Sequence, residues 1–120
     1  MSRGLVERYH NAWTNGDFHT ARGCLADDLD FKGSIDTFHS ADALMAPLRM
    51  FQSMLRQTTL IKAVFEEDRA ALLYDCDTVT PAGVIRTAEF FTTAGGKISE
   101  IRLVFDATEL RKLMPPTPPG

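Results

Sequence analysis

The sequence predicts an α+β fold: a cone-shaped half-barrel in which a strongly curved, mostly antiparallel sheet wraps around N-terminal helices. Three observations predict it. Apolar residues recur at helical spacing from Leu5 to Leu25, and again from Leu44 to Leu55. From Thr58 to Phe105 the period drops to two, in four runs long enough to be strands. The helices come first and the hairpin-linked strands follow, so the two element types are segregated rather than alternating. A sheet of long strands twists, and a twisted sheet that covers apolar helix stripes closes into a cone with one open end. At 120 residues the chain is large enough for one domain with a real core.

The first helix spans residues 4–14, with Leu5, Tyr9, Ala12 and Trp13 on one stripe. Asn15-Gly16 stops it, because both residues tolerate a left-handed cap. Asp17 then caps a second helix that turns Phe18, Ala21, Cys24 and Leu25 inward and ends at Asp27-Asp28. "LDFKG", residues 29–33, alternates as a short strand. Ser40 caps a third helix, with Asp42 in its first turn where negative charge suits the dipole. Its stripe of Leu44, Leu48, Phe51 and Leu55 carries it to about Arg56, with a kink or restart at Pro47.

The strands follow. "TLIKAVFEE" places Ile61, Ala63 and Phe65 on one face. "RAALLYDCDTVT" sets Leu72, Tyr74, Cys76 and Thr78 opposite Asp75 and Asp77. Pro81-Ala82-Gly83 turns the chain into "VIRTAEFFTT", and "AGGK" turns it again into "ISEIRLVF". There Ile101, Leu103 and Phe105 oppose Glu100 and Arg102. Asp106 and Glu109 form a capping box for a last short helix. The domain is expected over residues 1–114, followed by an extended, disordered tail "PPTPPG" at 115–120, since this proline density supports neither helix nor central strand.

Composition excludes several function classes. Hydrophobic residues make up 44% and charged residues 24%, with a net charge of −3 and no Lys/Arg cluster to neutralise phosphates. No nucleic acid and no membrane is therefore expected as a partner. The apolar runs are too short for a bilayer span, and the charged opening "MSRGLVERYH" lacks a signal peptide's apolar stretch, so a cytoplasmic protein is expected. Cys24 and Cys76 read as buried free thiols. The three histidines, His10, His19 and His39, are scattered and neither Cys-x-x-Cys nor His-x-x-x-His occurs, so no metal site is expected. Asp27, Asp28 and Asp30 lack the further oxygen ligands at EF-hand spacing that calcium requires.

Two segments carry a family resemblance. "VERYHNAWTNGDFHTARGCLADDLDF", residues 6–31, resembles the opening of the NTF2-like, SnoaL-like or ketosteroid-isomerase-like superfamily. "FFTTAGGKISEIRLVFD", residues 90–106, resembles its closing strand pair. With the helix at 40–56, the likeness covers about residues 3–113. It implies the cone fold and a choice of activities: isomerases, polyketide cyclases, dehydratases, epoxide hydrolases and non-catalytic binding modules. Ketosteroid isomerase uses an Asp base, with a Tyr and a protonated Asp hydrogen-bonding the oxyanion. The resemblance places Tyr9 at the oxyanion tyrosine, Glu89 at or beside the protonated Asp, and Gly33 where the base belongs. Without that base, steroid isomerisation in its usual form is not expected.

The residues themselves leave alternatives open. Tyr9 is either a pocket donor or a core tyrosine satisfied by a carbonyl or water. Glu89 shares a strand face with Thr87 and Phe91, opposite Ala88 and Phe90. On the concave face it is a desolvated acid; on the outer face it is a solvated or interface carboxylate. In "GSIDTFHS" Asp36 offers a substitute carboxylate and His39 a titratable partner, against a plain turn leading into the helix. Asp75 and Asp77 belong to the outer face, and His10 and His19 to the surface. Met45, Met50 and Met54 make the third helix either core or an adaptable pocket wall. The expected ligand is a small hydrophobic molecule lined by Trp13, Phe31, Phe51, Leu55, Phe65, Tyr74, Cys76, Phe91 and Leu103. The chain is then a cofactor-independent isomerase, cyclase, dehydratase or epoxide hydrolase using Tyr9, Glu89, Asp36 and His39, or a non-catalytic ligand-binding or dimerisation module. A homodimer through the outer sheet face is expected, because Leu60, Val64, Ala88, Phe90 and Val104 would otherwise meet water.

Overall fold

Six strands form one curved sheet that holds the helices on its concave side. The computed structural model describes residues 2–113. The elements are α1 (Ser2–Thr14), α2 (Phe18–Gly23), β1 (Leu25–Lys32), β2 (Thr37–Phe38), α3 (Ala41–Ser53), β3 (Leu55–Phe65), β4 (Arg69–Thr78), β5 (Val84–Ala94), β6 (Lys97–Phe105) and α4 (Thr108–Leu113). The strand order is β2-β1-β6-β5-β4-β3, antiparallel throughout except for the parallel β1–β6 pair. This is the expected α+β half-barrel. The expected tail at 115–120 lies outside the described residues.

Alternation on the long strands sets the core. β4 buries Ala70, Leu72, Tyr74, Cys76 and Thr78, and β5 buries Ile85, Thr87, Glu89 and Phe91. Cys24 and Cys76 are buried free thiols. On the outer face Arg86 clamps Asp75 with two bonds, of 2.9 and 3.1 Å. α1 lays Val6, Tyr9, His10 and Trp13 into the concavity. Asp17 caps α2 by accepting from the Thr20 N–H, and Ser40 caps α3 by accepting from the Ala43 N–H. No helix among the described residues is long and apolar enough to cross a membrane.

Several local expectations are corrected. His10 is buried rather than on the surface, with its ring edge-on to Tyr74 at 4.8 Å. Burial pulls its pKa down to about 4, so it packs as a neutral aromatic ring. His19 is exposed as expected. The first strand starts at Leu25, not Leu29, and takes in Asp27-Asp28. A register shift between Leu25 and Asp30 leaves both acids on the solvent side, where Arg22 bridges Asp27 at 2.7 Å and Asp42 at 2.8 Å. "GSIDTFHS" is more than a turn, because it holds β2, which sets Phe38 opposite Phe31. α3 runs through Pro47 and ends at Ser53, three residues early, since β3 begins at Leu55 to pair with Thr78. A register shift between Leu60 and Lys62 bulges β3, breaking the expected Ile61, Ala63, Phe65 face and setting Leu60 opposite Tyr74. The expected Asp106–Glu109 capping box of α4 does not form. Asp106 accepts from the Thr108 N–H at 3.0 Å, but Glu109 pairs with Lys112 instead.

Candidate active site

The open end of the cone is a cavity of about 410 Å³ between α1, α3 and the sheet. Each element supplies one part of its wall. α1 presents Tyr9 and Trp13, one helical turn apart. α3 presents Leu44, Pro47, Leu48 and Phe51. The end of β1 and the segment after it contribute Phe31, Gly33, Ser34, Ile35, Asp36 and Phe38. β4 gives Tyr74, β5 gives Thr87 and Glu89, β6 gives Leu103 and Phe105, and α4 gives Leu110. Two bonds pin the segment after β1: the Phe105 N–H donates to Ser34 Oγ at 3.0 Å, and Arg111 donates to the Ser34 carbonyl at 2.8 Å.

Glu89 is the chemical centre of this wall. It is 3% exposed and faces the concavity. Tyr74 donates a 2.8 Å hydrogen bond to its Oε1, the one protein hydrogen bond to this carboxyl among the described residues. Strand register explains the meeting. Thr87 is the direct partner of Tyr74, and Glu89 lies two residues further along the same face, within reach of a tyrosine hydroxyl. Burial pushes the carboxyl up to about 7, and the bond from Tyr74 opposes that rise. A group with that value donates a proton in one state and accepts one in the other near neutral pH. Tyr9 and Tyr74 are raised well above the usual phenol value, first by burial and then by the charge on Glu89, so both remain donors.

Aromatic rings frame the carboxyl. Tyr9 stands edge-on to Phe91 at 6.1 Å, and Trp13 lies 6.4 Å from Tyr74 and 6.2 Å from Phe51. The Trp13 Nε1–H and His10 Nδ1 are buried with no hydrogen-bond partner among the described residues.

Not every expected residue reaches the cavity. Of the four acid–base residues expected, Tyr9 and Glu89 share it. Asp36 is exposed at its rim, and its carbonyl accepts the Gly33 N–H at 2.8 Å. His39 is exposed and does not line it, because it follows β2 on the way into the α3 cap. Among the expected binding residues, Trp13, Phe31, Phe51, Tyr74 and Leu103 line the cavity. Leu55, Phe65, Cys76 and Phe91 do not. Leu55 has already left α3 and starts β3. Phe65 sits under Arg3, with the guanidinium 5.2 Å from its ring centroid. Cys76 is sealed in the core, and Tyr9 stands against Phe91. Gly33 lines the cavity with no side chain, and a Cβ there would lie 3.1 Å from Phe31 Cε1. Sequence reasoning missed the Tyr74–Glu89 bond and the contributions of Ile35, Phe38, Phe105 and Leu110. The hairpin register around the Pro81–Gly83 turn was the available signal for the first.

A family model described as a SnoaL-like domain matches residues 6–101. No curated protein matches the chain by sequence. Among solved structures, a protein from Kribbella flavida DSM 17836 is similar at 29% identity and TM-score 0.85, covering 91% of this chain and 89% of that one. An NTF2-like protein of unknown function from Cytophaga hutchinsonii is similar at 19% identity and TM-score 0.79, covering 92% and 95%. An LEH-like epoxide hydrolase from M. tuberculosis is similar at 20% identity and TM-score 0.71, covering 90% and 84%. At those last two identities the likeness is one of fold.

Proposed function

This chain belongs to the SnoaL-like domain family, and from that premise we propose that it binds a small hydrophobic molecule in the cavity and transforms it without a cofactor, as an isomerase, cyclase, dehydratase or epoxide hydrolase. One observation carries the reading: a carboxyl raised to about 7 faces an apolar cavity and keeps a single protein hydrogen bond. Structural carboxylates are normally solvated or fully paired, whereas perturbed ones in cavities mark acid–base sites.

In its neutral form Glu89 donates a proton to a ligand oxygen. In its ionised form it withdraws one. Tyr74 holds the carboxyl in place, and the Tyr9 hydroxyl donates to the oxygen on which charge develops. Gly33 offers no base, so a proton taken from carbon goes to Glu89 or to water at the Asp36 rim. The test is a binding series of apolar phenols against wild type and Tyr9→Phe. About tenfold weaker binding by the variant is expected for a lost hydrogen bond to developing anionic oxygen. Equal affinity across a pH series removes Tyr9 from that role.

A non-catalytic ligand-binding module is the second reading, and the empty position at Gly33 favours it. Turnover of a bound ligand that disappears in Glu89→Gln separates the two. We also propose that the protein is a homodimer. Val64, Phe90 and Val104 lie on the outer face at 63%, 50% and 57% exposure, and a second copy would remove them from water.

A further inference from the structure

The charge inventory of the cavity is one-sided. Among the described residues its two acids are Glu89, deep in the wall, and Asp36 at the rim, and no Lys, Arg or His lines it. The nearby cation Arg111 is exposed and committed to the Ser34 carbonyl. Seven of the lining side chains are aromatic. Aromatic faces attract cations, and the attraction grows as water is excluded. Around Glu89 this ring surface is continuous: Tyr74 bonds the carboxyl at 2.8 Å, Trp13 lies 6.4 Å from Tyr74, and Tyr9 shares the same wall.

These features favour one ligand charge. A carboxylate ligand would enter a space holding two acids and no counter-cation, where its desolvation is uncompensated. A neutral alcohol satisfies one donor and gains nothing from the rings beyond area. An ammonium gains from both the carboxylate and the ring faces.

We propose that the cavity is a binding site for hydrophobic amines. The ammonium head pairs with the Glu89 carboxylate among the rings of Tyr9, Trp13 and Tyr74, and the apolar body fills the space toward Phe31, Leu48 and Phe51. The inference rests on the cavity of the preceding reading but not on catalysis there. The two ligand classes use the two states of one carboxyl: the neutral acid donates to oxygen, and the ionised form holds a cation. When an ammonium meets the neutral acid, the Glu89 proton leaves to solvent and the ion pair remains.

The neighbours of Glu89 make its titration separable. Tyr9 and Tyr74 are held well above the usual phenol value, Cys76 is pushed up to about 12, and His10 is pulled down to about 4. Among these groups only Glu89, at about 7, changes charge between about pH 6 and about pH 8. A simple alkylammonium keeps its charge across that range.

The experiment uses Trp13, the single tryptophan of the chain, as a fluorescent reporter in the cavity. The full chain is titrated with phenylbutylamine, phenylbutanol and phenylbutyrate at about pH 6 and about pH 8. At the higher pH the amine is expected to bind about tenfold more tightly than the alcohol, with the carboxylate weakest. The amine-to-alcohol ratio is expected to fall several-fold at the lower pH. Glu89→Gln, with its fold verified by circular dichroism, is expected to lose the amine preference; if that variant does not fold, the wild-type pH ratio decides. An alcohol that binds at least as tightly as the amine at the higher pH overturns the amine inference and leaves the cavity reading standing. Failure of all three probes to bind overturns both.

Discussion

Tyr74 donates a 2.8 Å hydrogen bond to Glu89 Oε1, and both side chains are closed off from bulk water. The bond joins neighbouring strands β4 and β5 and modulates the acidity of the one carboxyl deep in the cavity wall among the described residues. A hydroxyl donor favours the ionised acid, so Tyr74 partly offsets the rise that burial causes.

The first prediction follows from that bond. In Tyr74→Phe the Glu89 carboxyl loses its protein donor and titrates above about 7, by about one unit. A carbon-detected NMR titration of the side-chain carboxyl reads this directly. An unmoved midpoint means that Tyr74 does not tune the acid.

Glu89 and His10 make opposing contributions to stability as pH changes. The Glu89 value is raised from 4.5 to about 7 by folding, so the native state holds a proton that the unfolded chain has lost, and stability falls as pH rises through that window. The His10 value is lowered from 6.5 to about 4, so the unfolded chain holds the extra proton, and stability rises over that window. Between about pH 4.5 and about pH 6.5 the two slopes oppose and nearly cancel. Glu89→Gln removes the falling term. Relative to wild type, its stability should therefore gain about 2 kcal/mol across that interval. Urea midpoints at the two ends of the interval check it, and a parallel pH dependence in both proteins refutes it.

Gly33 faces Phe31 with no room to spare. An alanine Cβ would lie 3.1 Å from Phe31 Cε1 and 3.4 Å from the Asp36 carbonyl oxygen. Gly33→Ala is expected to destabilise the fold by about 1 kcal/mol through overpacking. Adding Phe31→Leu should recover most of that loss, giving a non-additive double-mutant cycle in thermal denaturation. Additive effects show that the ring is not the obstacle.

The outer face supplies the oligomerisation test. Phe90 and its cross-strand partners Ala71 and Arg102 line up across three adjacent strands, β4, β5 and β6. Phe90→Asp puts a charge where the proposed second copy would bury apolar surface. Sedimentation should give a dimer for wild type and a monomer at least tenfold more populated for the variant. A wild-type monomer at working concentration ends the dimer proposal.

Legibility varied with the kind of information each feature requires. The helix stripe through Tyr9 and Trp13, the caps at Asp17 and Ser40, and the alternation of β4 are local patterns, and each reappears in the structure. The face taken by Glu89 was open, because both sides of β5 carry apolar residues. The fate of His10 was misread, because a histidine beside the stripe looks solvated until Tyr74 arrives from β4. The bulge in β3 and the pairing of β2 with β1 depend on partner strands, which no single segment announces.

By itself, the sequence determined the α+β cone, the inward placement of Tyr9 and Trp13 on the first helix, the buried thiols at Cys24 and Cys76, and the missing side chain at Gly33. These follow from periodicity, capping and residue identity within about one turn of chain. Only the tertiary structure decided that Glu89 is buried, that Tyr74 hydrogen-bonds it, that His39 stays outside the cavity, and that Phe65 and Phe91 do too. The physical reason is that burial, hydrogen bonding and acidity at this site depend on groups brought together from α1, β4 and β5, and closeness between them comes from sheet register and curvature.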